Sequence, residues 1–388
     1  MSLLLRNCRL IPALSDGYAG GCADVTVENG IITEVSACHG KHPAQDAEVV
    51  DCGGRTLLPG LFDMHAHLNW DYYNGVIRLN DFKLLTNSCL SAKKYLEQGF
   101  TTIRDMGTPK RLSVSVRDAI NKGLFAGPRI ISGGMILMPA TSDVPADPNC
   151  FLRYVSGVDA YVRAAREEMG GGADFVKLYA PGEPSELLPE ELEAVVRIAH
   201  RRGRRVAVHA HDTGAIAMCI DAGVDTIEHG SCIAAEDIER LKQERSYLVP
   251  TLGILSDEVA MPGTPMAQKI PMLRPLLEAN ARCISAAYRA GLRLGFGTDT
   301  PIEEMEKHPG VEFRMRREYC GMDNVDMLLQ ATKHSAYICG LADVTGQIKA
   351  GLAADLLLVD GNPDEDIRVM YQKPALVFRQ GALCCRNA

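Results

Sequence analysis

Between residues 56 and 349 the chain alternates short, almost wholly apolar runs with longer stretches in which apolar residues recur every three or four positions. The first kind reads as buried parallel strands and the second as amphipathic helices. Eight runs qualify as strands: Leu58–His67, Thr101–Asp105, Arg129–Ser132, Phe175–Tyr179, Arg205–His211, Thr226–His229, Leu248–Thr251 and Leu292–Thr298. Pro189–Arg202, Gly214–Ala222 and Ala279–Ala290 stand out among the intervening helices. Eight such repeats predict an α/β fold, a (β/α)8 TIM barrel, ahead of a doubly wound sheet, which would show similar alternation.

The two ends have a different texture. Leu3–Leu5, Asp24–Val27 and Gly30–Val35 read as short strands, with turn chemistry at Asn29-Gly30. Ala354–Asp360 and Ala375–Gly381 repeat that pattern near the C-terminus. Neither end has enough strands to fold alone. Both are therefore expected to assemble into one small β-sandwich, residues 1–55 plus 350–388, beside a barrel formed by 56–349.

Ionisable residues break the apolar pattern in particular places. Burying such groups costs free energy unless they are paired or bound to metal. Here they gather at the C-terminal ends of the strands, where barrel active sites are built. His65 and His67 lie two residues apart, so strand alternation sends both rings into the lumen, an arrangement that suits a divalent metal such as zinc. Lys177 interrupts the run Asp174–Tyr179. Such a lysine either snorkels to solvent or, buried near cations, loses its proton and can add carbon dioxide, giving a carbamate able to bridge two metals. His209 and His211 repeat the alternation, so either ring can be a ligand; the deeper His209 is the expected one, leaving His211 as a catalytic residue in contact with substrate. His229 precedes a glycine that permits a tight exit from its strand, and Asp299 ends the last strand after Gly295 and Gly297, which let the backbone crowd the site. Tyr179 shares the parity of Lys177 and so faces the lumen; with Arg153 and Tyr154 it is a candidate for binding a substrate carboxylate.

Composition narrows the partners. Over 388 residues, 46% hydrophobic and 23% charged positions describe a globular rather than a disordered chain. A net charge of −8, from 41 basic and 49 acidic residues, and the lack of any basic run of five argue against nucleic acid. No apolar stretch reaches the length of a membrane span and the N-terminus does not read as a signal peptide, so a cytoplasmic protein is expected. Thirteen cysteines without a CxxC pair read as reduced thiols rather than a disulfide frame or a zinc ribbon.

Taken together the order is His-x-His, Lys, His, His, Asp, and the chain resembles the metal-dependent amidohydrolase superfamily, in particular its imidazolonepropionase-like and Xaa-Pro dipeptidase-like members. The resemblance is carried by Leu58–His67, Gly99–Asp105, Glu228-His229-Gly230, Gly297-Thr298-Asp299 and Gly346–Leu356. It implies two divalent cations, zinc being the expected metal. His65, His67 and Asp299 would hold one, His209 and His229 the second, and carboxylated Lys177 would bridge them. It also implies a metal-bridging hydroxide that attacks an amide, with Asp299 taking the proton and passing it to the leaving amine. The expected substrate is a small amide such as an N-acyl amino acid or an Xaa-Pro-type dipeptide, and a homo-oligomer is expected. One departure bears on substrate: relatives usually carry Gly-Gly-His after the third strand, where this chain has Gly133-Gly134-Met135. Two other readings compete, a mononuclear deaminase or cyclic-amide hydrolase, suggested by Asp212 three residues after His209, and a non-catalytic barrel scaffold. Lys177 favours two metals, and the intact ligand set argues against a scaffold. Trp70, Tyr72 and Tyr73 are candidates for a pocket rim or a subunit contact.

Overall fold

A computed structural model describes residues 2–16, 18, 21–38, 47–69, 80–140, 151–182, 185–243, 245–259 and 270–387; Trp70, Tyr72 and Tyr73 lie outside the described residues. The fold is α/β. Strands β1 (Ser2–Arg9), β2 (Cys22–Glu28), β3 (Ile31–Ala37), β4 (Glu48–Asp51) and β5 (Thr56–Pro59) come first. They are followed by β6 (Leu61–Ala66), β7 (Phe100–Asp105), β8 (Arg129–Ser132), β9 (Ile136–Pro139), β10 (Leu152–Val155), β11 (Phe175–Tyr179), β12 (Arg205–Ala210), β13 (Thr226–His229) and β14 (Tyr247–Val249), and the chain ends with β15 (Leu356–Val359), β16 (Leu376–Arg379) and β17 (Ala382–Arg386).

Strands from both ends of the chain share one sheet, ordered β17-β16-β15-β5-β1-β2-β3 with β4 paired to β1. Its apolar interior includes Leu3, Leu5, Val25, Val27, Leu356 and Phe378. The Asn29-Gly30 turn has positive φ at both residues, 50° and 82°, the backbone that a tight β2–β3 hairpin needs. That hairpin also corrects the cysteine expectation. Its Ala23–Ala37 register sets Cys22 opposite Cys38, with Cα atoms 5.3 Å apart, and the two form a disulfide. The partner lies across a turn, 16 residues on, so a search for closely spaced cysteines passes over it.

Two parallel sheets fill the middle of the chain, β6-β7-β8 and β10-β9-β11-β12-β13-β14. Asp174 N donates to Ser132 O at 2.7 Å, which joins β8 to the start of β11. At the other edge the predicted eighth strand makes one parallel bridge, Leu294 to Leu248, rather than a ladder. Single bonds flank it on both sides: Gly295 N to Leu248 O at 2.9 Å, Met64 N to Phe296 O at 2.8 Å and Asp299 N to His65 O at 2.8 Å. The run expected as one strand over Leu58–His67 is cut at Gly60, where the chain leaves the terminal sheet for the parallel one. A Cβ at Gly60 would collide with the Thr101 side chain. β9 and β10 were not among the eight runs; each has only four residues.

Strand parity orients the site. Val206, Val208 and Ala210 of β12, with Val176 and Leu178 of β11, join the main core, which also takes in Leu192, Val195, Val196 and Ala199 from the helix Pro189–Arg201. The alternate positions Phe175 and Ala207 pack with Met106 in a separate interior cluster. Lys177, Tyr179 and His209 continue on that inner parity. Among the described residues no helix is long and apolar enough to cross a membrane.

Candidate metal centre

His65, His229 and Asp299 offer ligand atoms that all lie within 4.8 Å of one another, and so do His209, His211 and His229. The two trios share His229. His67 closes on the first, its Nε2 standing 3.7 Å from Asp299 Oδ1 while His65 Nε2 stands 3.6 Å from the same oxygen. His229 and Asp299 reach the cluster through an unusual backbone: φ is 67° and 51°, left-handed values that non-glycine residues seldom adopt. Strain of that kind, of order 1–3 kcal/mol each, persists where the surroundings over-determine it and is concentrated at functional sites. In β13 it lets consecutive residues Glu228 and His229 both serve the cluster, which simple alternation forbids.

Four of the imidazoles have Nδ1 engaged from behind. His65 Nδ1 meets Glu228 Oε2 at 2.9 Å, His67 Nδ1 meets Gly107 O at 3.1 Å, His211 Nδ1 meets Ser231 Oγ at 2.7 Å and His229 Nδ1 meets Thr251 Oγ1 at 2.6 Å. Such partners fix the tautomer and leave Nε2 for a metal. His209 is held differently, stacked on Tyr179 with ring centroids 3.8 Å apart. Glu228 is itself clamped: Arg104 Nη2 donates to its Oε1 at 2.6 Å and so does Thr226 Oγ1 at 2.6 Å, while Arg104 Nε donates to Met64 O at 2.7 Å. Asp63 ties β6 to the segment before Asp299, accepting from His65 N, Thr298 N and Thr298 Oγ1 at 3.1, 3.0 and 2.6 Å. Of these supports, Glu228, Asp63 and Arg104 were visible only as members of the motifs that carry the family resemblance, whereas nothing in the sequence marked Thr226, Ser231 or Thr251.

The decisive atoms are those left over. Lys177, 1% exposed, has no hydrogen-bond partner at Nζ among the described residues, and neither His229 Nε2 nor Asp299 Oδ1 has one there. The lysine therefore does not snorkel. An unpaired buried donor or acceptor costs about 1–3 kcal/mol, more if charged, so three in one cluster call for something that binds them. Two imidazole nitrogens or more, a carboxylate oxygen and an amine able to become a carbamate are borderline-hard donors of the kind zinc takes, and the residues fit a divalent metal.

Protonation of the imidazoles agrees with that use. Burial pushes the Lys177 amine down to about 8. Burial also drives His65, His209 and His229 well below the ordinary imidazole value, with neighbouring Lys177 and imidazoles adding to it, and brings His67 and His211 to about 4. The rings are thus neutral, as ligands must be. Burial raises Asp299 well above the usual carboxylate range, against the pull of Lys177, and lifts Asp63 to about 7.

Two expected residues take other roles. Arg153, expected at the substrate, has its guanidinium on Glu167 and, at 3.1 Å, on Glu168, so it braces β10 against the helix Val158–Gly170 and is not a free cation for a carboxylate. Asp212, the hint of a deaminase, caps the helix Thr213–Ala222 by accepting from Ala215 N at 2.8 Å. Tyr154 sits half-buried beside Arg153 on β10.

Comparison with known proteins meets this geometry. The model of the amidohydrolase family matches residues 56–384, and the chain belongs to that family. An amidohydrolase of known crystal structure is 30% identical, with a TM-score of 0.87 and 100% of both chains covered. A prolidase crystallised with N-methylphosphonate-L-proline is 26% identical, again with a TM-score of 0.87 and 100% of each chain. Ochratoxinase of Aspergillus niger is 28% identical over 368 residues, which span 83% of this chain and 73% of that enzyme. The protein is a hydrolase acting on C–N bonds.

Proposed function

We propose that this chain is a binuclear metal hydrolase that cleaves the amide of a small N-acyl amino acid or Xaa-Pro-type dipeptide. Its parallel strands would form one closed (β/α)8 barrel, with residues 1–55 and 350–388 as a small β-sandwich beside it. The observation that carries the reading is the convergence of unpartnered Lys177 Nζ, His229 Nε2 and Asp299 Oδ1 with His65 and His67. His65, His67 and Asp299 would hold one cation, His209 and His229 the other, and Lys177 both of them after its neutral amine has added carbon dioxide and lost a proton. Two bound divalent ions, zinc for preference, would acidify a shared water and polarise the substrate carbonyl.

The side chains do the rest. Asp299 takes the proton from the attacking water as the new C–O bond forms, then delivers it to the nitrogen as the C–N bond breaks. His211, one step nearer the rim than His209 and braced by Ser231, is placed to hold the substrate carbonyl or carboxylate. Tyr179 shapes the same wall through its stack on His209. The prolidase and ochratoxinase relatives support an amide with an amino-acid half.

The test is metal content together with a substrate panel. Two ions per chain and turnover of N-acyl amino acids or Xaa-Pro dipeptides after loading with zinc or manganese are expected. One ion per chain with a flat response across the panel would transfer the case to a mononuclear deaminase.

A further inference from the structure

Beneath the metal centre, at the N-terminal ends of the strands, lies a cavity of about 310 Å³, at the lower end of the roughly 300–1,000 Å³ typical of small-molecule pockets. It contains none of the proposed ligands. Five arginines line it, Arg104, Arg117, Arg129, Arg204 and Arg205, and Asp174 is the one acidic residue in its wall. Parity explains the convergence. Arg129 and Arg205 open β8 and β12, Phe175 opens β11 opposite Arg205, and Arg104 reaches in from β7 with its guanidinium 5.5 Å from the Phe175 ring. Lys177 and His209 lie further along those same inner faces, so this cavity and the metal centre occupy opposite ends of one set of strands.

Five like charges sharing one small cavity repel one another unless anions are near. Four carboxylates answer them within the protein: Asp174 and Asp118 accept from Arg117 at 2.6 and 3.0 Å, Asp355 from Arg129 at 3.1 Å and Glu228 from Arg104 at 2.6 Å. Five guanidinium groups against four carboxylates leave the set cationic by one, and Arg204 and Arg205 are the two without a close carboxylate of their own. The contact described for Arg205 is to a carbonyl, Cys339 O at 2.7 Å, and Arg204 reaches Asp174 only at 3.9 Å. Arg205 is also seated with care: a Cβ at Gly340, where φ is 72°, would come 2.6 Å from its guanidinium nitrogens. Arg104, 5% exposed, puts a buried charge in the wall. The remainder of the lining, Ile130, Ile131, Phe175, Ile338 and Leu341 among it, is apolar.

We propose that this cavity is a binding site for a small organic oxyanion, with a phosphoryl or carboxylate head held by Arg204 and Arg205 and an apolar body against Phe175 and Ile131. The planar fork of arginine pairs with either head in two parallel hydrogen bonds, and partial removal from water strengthens them. The occupant is distinct from the amide substrate, and the proposal stands whether or not the metal-centre reading does.

Calorimetry on the metal-loaded protein with phenyl phosphate, benzoate and inorganic phosphate tests it. One saturable site per chain is expected for phenyl phosphate or benzoate, the tighter of the two naming the head group. Inorganic phosphate, lacking the apolar body, should bind at least tenfold more weakly. The double variant R204A/R205Q should lose tenfold or more in affinity for the organic anion while retaining its fold by circular dichroism, and single R204A should lose less. Chelating the metals should leave binding in place. No saturable binding, or affinity unchanged in R204A/R205Q, or binding abolished by chelation, would each overturn the proposal, the last by assigning the anion to the metal centre.

Discussion

Two buried polar clusters flank the segment Gly295–Asp299, and they differ in what they leave unsatisfied. Arg316 and Glu312, both at most 1% exposed, form a completed network. Arg316 gives Nε to Glu312 at 2.7 Å, Nη1 to Gly295 O at 3.1 Å and to Gln330, and Nη2 to Pro250 O at 2.9 Å, while Glu312 accepts from Gly253 N at 2.6 Å. The cluster of Lys177, His229 and Asp299 is nearly as dry, with Lys177 1% and His229 6% exposed and the Asp299 side chain 13%, and among the described residues it keeps three polar atoms without a partner. Burial alone therefore does not separate a structural charge from a functional one. Unmet polar atoms that converge beside candidate metal ligands do, because a network built for stability can be satisfied from within, whereas a site must keep atoms open for what it binds.

Substitutions can break that contrast. The largest effect is expected for Asp299→Asn: turnover should fall by about 10²- to 10⁴-fold, the usual contribution of a positioned acid–base group, with the thermal unfolding profile nearly unchanged. Retained turnover would remove Asp299 from its role as proton carrier. Next comes a pair measured by denaturant unfolding of the metal-free protein. Arg316→Met should cost about 3–5 kcal/mol, since it strands Glu312 without its counter-charge. Lys177→Met, which deletes an amine that has no partner, should be neutral or stabilising; equal losses in the two variants would erase the distinction.

A third measurement uses pH. Burial depresses His67 to about 4 from the ordinary 6.5, so the unfolded chain holds more protons between those values. The stability that neutral His67 contributes is present above about pH 6.5 and is lost as pH falls towards 4. In metal-free protein the gap between the parent and His67→Asn should narrow by roughly 3 kcal/mol over that span. A constant gap would mean that the ring is not held neutral by burial. The smallest effect is expected for Thr251→Val, which removes the hydroxyl behind His229 Nδ1 and should weaken zinc about 10- to 100-fold in chelator competition, leaving the fold intact.

Much of the architecture was legible because burial writes itself into local patterns. Runs such as Phe175–Tyr179 and Arg205–Ala210 are apolar on both faces, and the interruptions at Lys177 and His209 stand out for that reason. Less legible were segments whose pairing is made one bond at a time. The residues before Asp299 alternate single hydrogen bonds to β6 and β14, so they read as a strand without forming a ladder. Arg153 illustrates a different limit: its charge was visible, but its partners Glu167 and Glu168 lie a helical stretch away and decide its use.

The sequence by itself determined the alternation of strands and helices and the identity of the candidate ligands, which follow from residue type and from spacing along single elements, and the family resemblance, which rests on motifs spread from Leu58 to Leu356. Only the tertiary structure decided which of those atoms have partners, that Glu228 and Arg104 stand behind His65, that Cys22 meets Cys38, and that five arginines gather at the far end of the strands. Hydrogen bonds and charges act over a few ångströms of space, and residues that far apart in space can be a hundred or more positions apart along the chain, as His65 and Glu228 are at a separation of 163.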